Sequence, residues 1–330
     1  MKIFHHNDND GLCAAAIIRN ECENIYDRMT NDDFFEYSHS GKIDTPEFKE
    51  NENVYIVDLA LDDVIFNDVI KPAVLAGAKV VHIDHHATTL DYYDKLKDTD
   101  DVEVLKKVYT FYKIGISGAL LTWVFCCMDA DEKQHPMNIN FDFTDKYTHV
   151  AFYPETPEMR EYTIPDVIRF INDRDVWNNE LKDSKMFSLG FGLVADKHPS
   201  GSVWQKLLYY GILHGPYEYV SRGYIIDAYM TSMNEKYMKS SFESEICGHK
   251  ALCLNGYGNS DVFGDKFDEY PMVCLFNYDG SLGKWRYSFY SSEKVDGSVN
   301  VGELAKSLGG GGHKHAAGCV ISEYIFDKNK

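Results

Sequence analysis

Short apolar runs alternate with helix-patterned stretches through the first third of the chain. Residues 2–6 (Lys-Ile-Phe-His-His), 54–58 (Val-Tyr-Ile-Val-Asp) and 79–84 (Lys-Val-Val-His-Ile-Asp) are short apolar or β-branched runs, which predicts buried strands. Helical patterns fill 11–20 and 61–75, with Pro72 predicting a local break in the second. Strands alternating with helices predict an α/β fold on a mainly parallel sheet flanked by helices. Residues 115–128 read as a buried helix, with Trp123, Phe125 and Met128 in its core. The polar tract 129–160 carries Pro136, Pro154 and Pro157 and predicts an insertion or irregular loop. A short helix over 165–172 leads into Asn172-Asp173-Arg174-Asp175-Val176-Trp177. Residues 204–245 are helical in pattern, interrupted near Gly215-Pro216. A second, smaller α/β unit follows, with strands at 251–254, 271–276 and 285–290, a helix at 299–308, and four glycines at 309–312.

A length of 330 residues suits two domains. The pattern divides it into a larger unit over 1–205, a helical linker over 206–245 and a smaller unit over 246–330. A content of 44% hydrophobic and 14% aromatic residues supplies real cores. The formal net charge of −19 makes the chain a poor grip for long duplex DNA or RNA, because that affinity comes from Lys and Arg displacing counterions. An anionic substrate is better held by metal ions or a few backbone donors. No run reaches the ~20 apolar residues of a membrane span, and the N-terminus lacks a signal-like apolar stretch. None of the eight cysteines forms a C-x-x-C pair, so zinc ribbons are disfavoured and free thiols in a reducing cytoplasm are expected. The Tyr-rich stretch 209–237 reads as linker and packing surface, with a homodimer contact as its other use.

Chemistry gathers at the C-terminal ends of the predicted strands. His6, Asp8 and Asp10 follow the first, Asp58 ends the second, and Asp84, His85 and His86 end the third. In an open parallel sheet those ends share one edge, where ligands bind. So many carboxylates and imidazoles together would repel and lose hydration unless cations join them. Mixed His and carboxylate ligands suit Mn²⁺ or Mg²⁺, and their number suits two ions, the machinery of phosphoester hydrolysis. Taken singly, Asp8, Asp10 and Asp58 also read as helix caps. His82 and His5 read as structural, His5 because it alternates to the face opposite His6. The glycine run with His313 and Lys314 reads either as a turn before the last strand or as an anion-binding loop.

These motifs resemble those of the DHH phosphoesterases: His6-Asn-Asp8-Asn-Asp10-Gly11, Asp58 after Val-Tyr-Ile-Val, Asp84-His85-His86, and Asp175-Val-Trp177. The run Gly309-Gly310-Gly311-Gly312-His313-Lys314-His315-Ala316-Ala317-Gly318 is similar to the signature of the DHHA1 domain that follows in one subfamily. The resemblance runs from residue 4 to about 320, and the nearest type is the short bacterial nanoRNase, with RecJ exonucleases as larger cousins. It implies that His6, Asp8 and Asp58 hold one ion. Asp10, Asp58, His85 and a late aspartate would hold the other, the late ligand being Asp175 or its neighbour Asp173, with Asp175 favoured by its spacing to Trp177. His86 would face the scissile phosphate and Asp84 would orient His85. The glycine run (Gly310, Gly311, Gly312), His313 and Lys314 would hold the substrate. The family often carries Arg in a Ser-Leu-Arg-Ser strand; here Ser288-Phe289-Tyr290-Ser291 puts Tyr290 in that place, with Arg286 four residues earlier on the same strand face.

The implied activity is metal-dependent hydrolysis of short RNA oligonucleotides to 5′-mononucleotides with two divalent ions, Mn²⁺ before Mg²⁺. The same site serves a second class: 3′-phosphoadenosine 5′-phosphate, a cyclic or linear dinucleotide, or polyphosphate. A non-enzymatic scaffold is disfavoured because every ligand position is filled. A dinucleotide-binding oxidoreductase is disfavoured because no Gly-x-Gly-x-x-Gly follows the first strand.

Overall fold

The computed structural model describes residues 1–22, 33–38, 43–128, 141–144, 147–152, 160–209 and 215–326. The chain divides into two compact units, Met1–Ile225 and Ile226–Lys330.

The first unit is built on a five-stranded sheet in the order β2-β1-β3-β4-β5, from β1 (Lys2–His6), β2 (Phe34–Tyr37), β3 (Asn53–Val57), β4 (Lys79–Asp84) and β5 (Val108–Tyr112). All its pairings are parallel, and β1, β3 and β4 are consecutive neighbours. The period-two alternation sorts the strand residues into two cores. Ile3, Val57 and Ile83 face α1 (Asn9–Cys22), α5 (Gly118–Cys127) and α6 (Asp166–Asp175). Phe4, Ile56 and Val80 face the other way, onto a π-helical turn (Ile65–Ile70), α2 (Lys71–Leu75) and α3 (Ala87–Leu96). Both faces are covered, as apolar parallel strands require.

The predicted strands at 2–6, 54–58 and 79–84 form; β2 and β5 are additions to the pattern. Pro72 does not break its helix. It sits in the first turn of α2, where its missing N–H costs least, and the wider π turn precedes it. Where the irregular tract 129–160 is described, it is regular: β6 (Phe141–Thr144) and β7 (His149–Phe152) join β8 (Arg160–Thr163) in an antiparallel sheet. Residues 129–140, with Pro136, and 153–159, with Pro154 and Pro157, lie outside the described residues. The short helix predicted to end at 172 runs on to Asp175, placing Asn172–Asp175 in the last turn of α6. The unit continues through α7 (Ser184–Phe191) and α8 (Ser202–Tyr209), and α9 (Tyr217–Met238) spans the division between units. No described helix is long and apolar enough to cross a membrane.

The second unit is a six-stranded sheet, β13-β14-β12-β11-β10-β9. Its strands are β9 (Phe242–Ile246), β10 (His249–Asn255), β11 (Met272–Asp279), β12 (Lys284–Tyr290), β13 (Gly311–His313) and β14 (Ala316–Ile321). Only β10–β11 is parallel. One face, through Cys253, Cys274, Tyr287 and Phe289, packs on α10 (Val301–Ser307). The other is covered in part by a 3₁₀ segment (Ser260–Glu269) packed on Leu252, Leu254, Val273 and Leu275.

Candidate metal centre and substrate face

Because β1, β3 and β4 run parallel side by side, their C-terminal ends deliver His6, Asp58 and Asp84-His85-His86 to one edge. Asp8 lies in the turn from β1 to α1. Its Oδ1 accepts from the N–H groups of Asp10 and Gly11, at 3.0 and 2.9 Å, and its Oδ2 lies 2.9 Å from His6 Nδ1. Capping and cluster membership are thus the same placement. Gly11 lets α1 start against β1: a Cβ there would come within 2.4 Å of the His6 carbonyl oxygen.

Asp58 adopts φ +54°, a left-handed conformation uncommon for a residue with a side chain. It is held there by its N–H, which donates to Ile83 O at 2.9 Å. The residue is 1% exposed, with Oδ1 3.0 Å from His85 Nε2. Asp10 is equally buried, and its two oxygens accept from the Gly118 and Ala119 N–H groups at 2.6 and 2.9 Å, at the N-terminus of α5. Three ligand-like groups result: His6, Asp8 and Asp58; Asp10, His85 and Asp175; and Asp58, His85 and His86. Within each group one ligand atom per residue lies within 4.8 Å of the others. Asp58 belongs to two groups and so does His85.

The electrostatics suit cations. Burial, then the charges of Asp10 and Asp8, raises the Asp58 carboxyl well above the usual carboxylate range. Burial and the same two neighbours push Asp175 up to about 8. Asp175 Oδ2 is buried without a hydrogen-bond partner and lies 3.7 Å from His85 Nε2. An orphaned buried carboxylate oxygen beside other carboxylates is the donor set a divalent ion satisfies. Burial also lowers the His85 imidazole, which favours the neutral form that ligates metals.

The two late aspartates part company. Asp173 Oδ1 accepts from the Glu180 and Leu181 N–H groups at 2.8 and 3.2 Å, and the Ser184 hydroxyl donates to its Oδ2. It ties the end of α6 to the start of α7 and lies outside all three groups. Asp175 turns into the cluster. A second expectation is corrected at Asp84. Its Oδ1 lies 2.7 Å from Nδ1 of His86, and Thr89 Oγ1 donates to its Oδ2 at 2.5 Å; it orients His86, not His85. Asp84 and His86 are two apart on extended chain and share a side, while His85 points the other way.

The sequence reading missed the supports. Ser117 N donates to Asn172 Oδ1 at 2.9 Å, fixing the α5 N-terminus to α6, and both residues are fully buried. Gly118 abuts Asp58. Arg174, with Asp8, Asp10, Asp175 and Ser188, lines a cavity of about 240 Å³ at the cluster. The Ser117–Asn172 contact joins residues 55 positions apart, and Gly118 is comparably remote in sequence from Asp58, so no local spacing announces them.

In the second unit, cross-strand registry sorts the predicted substrate residues by face. Tyr290, Ala316 and His313 lie in one row, Ser288, Gly318 and Gly311 in the next, and Arg286 with Val320 beyond. This is the face opposite Tyr287 and Phe289, and on it Ser288 is flanked by Gly318 and Gly311 on one side and by Leu275 on the other. Gly310 and Gly312 sit on the other face. A Cβ at Gly310 would meet Gly318 O at 2.1 Å, and one at Gly312 would meet Ala317 Cα at 2.5 Å. The glycine run is therefore chiefly a strand that must approach its neighbour closely, not a loop of converging N–H groups. Arg286 is engaged by Asp279 Oδ2 through Nε and Nη2, at 3.0 and 2.9 Å. Lys314 occupies the hairpin turn, exposed and 3.9 Å from Glu293. His82 donates from Nε2 to Leu59 O at 2.8 Å from a fully buried ring, and His5 is buried, as their structural readings expect.

Residues 265–329 match the family model of the DHHA1 domain. No curated protein sequence matches the chain. Among solved structures, the pGpG-specific phosphodiesterase PggH from Vibrio cholerae aligns at 13% identity and TM-score 0.39, covering 97% of this chain and 92% of that one. RecJ from Thermus thermophilus in complex with Mn²⁺ aligns at 12% identity and TM-score 0.44, covering 98% of this chain and 50% of that one. A manganese-bound exonuclease RecJ aligns at 13% identity and TM-score 0.38, covering 99% and 86%. Residues 265–329 thus carry a DHHA1 domain, and the Asp84-His85-His86 triplet stands at the C-terminal edge of a parallel sheet in the first unit.

Proposed function

We propose that the chain is a metal-dependent phosphodiesterase acting on short RNA oligonucleotides, releasing 5′-mononucleotides. The observation that carries this reading is the sharing of Asp58 and His85 among three ligand-like groups at one sheet edge. We assign His6, Asp8 and Asp58 to one divalent ion and Asp10, Asp58, His85 and Asp175 to a second, with Mn²⁺ as the expected metal. Held by these residues, two such ions would supply hydroxide near neutral pH and offset charge on the phosphoryl oxygens. The remaining work belongs to side chains. Asp58 holds both halves of the centre in register from its constrained backbone. His86, its Nδ1 fixed by Asp84, presents Nε2 as a donor to a non-bridging phosphoryl oxygen. Burial lowers this imidazole, but the hydrogen bond and charge of Asp84 together with the charges of Asp175 and Asp10 raise it on balance, which favours the protonated donor.

The domain limits 1–205, 206–245 and 246–330 are assigned on the same reading. The open face of the second unit, with His313, Ser288 and Tyr290, is assigned to the substrate's sugar, phosphate or base, Tyr290 offering a stacking surface where the family often has Arg. The charge of −19 supports a short substrate over a long polyanion. A Mn²⁺-dependent hydrolysis panel tests the assignment: RNAs of two to about twenty-four nucleotides, DNA counterparts, 3′-phosphoadenosine 5′-phosphate, cyclic dinucleotides and polyphosphate. Turnover greatest on the shortest RNAs supports it. Turnover confined to a small nucleotide or to polyphosphate overturns the oligonucleotide assignment and leaves the phosphoesterase centre standing.

A further inference from the structure

Beside the acidic centre, the first unit carries a half-buried cation that the ligand assignments leave unused. Lys197 Nζ lies 3.4 Å from Asn9 Oδ1 and 4.9 Å from the centroid of the Phe191 ring. Its backbone is anchored, since Trp204 Nε1 donates to Lys197 O at 2.8 Å from a fully buried ring. Among the described residues no carboxylate pairs with it, in a chain whose acids outnumber Lys and Arg by 52 to 33. A cation in acidic surroundings, placed over a ring and left without a counter-charge, is ready for an anion from outside.

The space is there. A cavity of about 480 Å³ is lined by Lys197, His198, Asn9, Asp8, Asp196 and Glu36, among others. Asp196 is turned to its own backbone, Oδ1 accepting from His198 N at 3.0 Å, and Glu36 is exposed. Asp8 and Asn9 also line the cavity at Asp10 and Asp175, so the same turn borders both cavities. Asn9 faces Lys197 through its amide oxygen, which leaves the amide NH₂ as a further donor.

We propose that Lys197, with Asn9, receives a second phosphate of the substrate, one nucleotide unit removed from the ester that is cut. The first unit thereby selects substrates carrying at least two phosphates. This inference rests on the phosphodiesterase reading and adds a specificity-determining lysine to it.

Kinetics of the full, Mn²⁺-loaded chain on two dinucleotides, identical except for a terminal phosphate, test it. The wild-type chain is expected to show the lower KM for the phosphorylated one. In Lys197→Gln that KM rises about tenfold, the two substrates approach parity, and Lys197→Arg restores part of the preference. Metal content and Tm, measured alongside, stay at wild-type values, because Lys197 is not a ligand and its anchoring contact is made by the backbone. A preference unchanged in Lys197→Gln, or absent in the wild-type chain while both dinucleotides are hydrolysed, overturns the inference alone. Hydrolysis of neither overturns the phosphodiesterase reading and the inference with it.

Discussion

Gly118 stands against the side chain of Asp58: a Cβ at 118 would lie 2.6 Å from the Asp58 Cβ and 2.7 Å from its Oδ1. The first residue of α5 thus lacks a side chain for the same reason that its N–H can donate to Asp10. Gly118→Ala is expected to displace Asp58 and to cost about 1–3 kcal/mol in stability by overpacking. Mn²⁺ affinity should fall with it, and calorimetric titration beside a thermal melt reads both. Wild-type affinity in this variant contradicts the placement of Asp58 at the centre.

A pH series on the metal-free protein probes the same cluster. Asp175 has its carboxyl pushed from 3.8 to about 8, first by burial and then by Asp10 and Asp8. A group that holds its proton more tightly folded than unfolded stabilises the fold below its unfolded pKa, and that contribution is lost as pH rises through the folded value. Tm in chelator should therefore fall between pH 4 and about 8 from this group, with Asp58 acting in the same direction. Asp175→Asn should flatten the slope, and Mn²⁺ should remove it while releasing protons. A metal-free Tm no lower at pH 8 than at pH 5, and no flatter in Asp175→Asn, counts against the clustering.

Asp173 and Asp175 should fail in different ways. Asp173→Ala strips partners from Glu180 N, Leu181 N and the Ser184 hydroxyl, and is expected to lower stability by about 1–3 kcal/mol. Its metal stoichiometry should survive where the fold does. Asp175→Ala removes a half-buried acid whose Oδ2 lacks a hydrogen-bond partner and is expected to cost metal and turnover with little loss of Tm. Exchange of these two phenotypes would reverse the assignment.

The second unit offers a matched pair of glycines. Gly311→Ala meets nothing within 4 Å on the open face, whereas Gly312→Ala meets Ala317 at φ +141°. Gly312→Ala should destabilise the unit. Gly311→Ala and His313→Ala should fold normally and raise KM with metal content intact. Loss of metal in His313→Ala would refute a substrate role for that face.

How much of this was legible in the sequence depends on the range of the interaction. The runs ending at His6, Asp58 and Asp84 are apolar, short and followed by helical pattern, so local periodicity suffices to put their acids at one edge of a parallel sheet. The edge strand Phe34–Tyr37 is only four residues long and offers no comparable pattern. The choice between Asp173 and Asp175 turns on the phase of the last turn of α6 and on the chain that folds back onto it, which spacing to Trp177 only suggests. The pairing of Asp84 with His86 was readable from strand alternation, yet the family likeness pointed to His85. Asn172, Ser117 and Gly118 support the centre through contacts made by the fold, and four successive glycines look alike until registry divides them between two faces.

The central claim is that Asp58 joins two metal sites in one hydrolytic centre. The most direct test measures Mn²⁺ stoichiometry and hydrolysis of a short RNA in the wild-type chain and in Asp58→Ala. Two ions per wild-type chain are predicted, with at least one lost in the variant and turnover down by about 10³-fold or more, given how much such ions contribute to activating water. Full activity of folded Asp58→Ala, or one ion in both proteins, would contradict it.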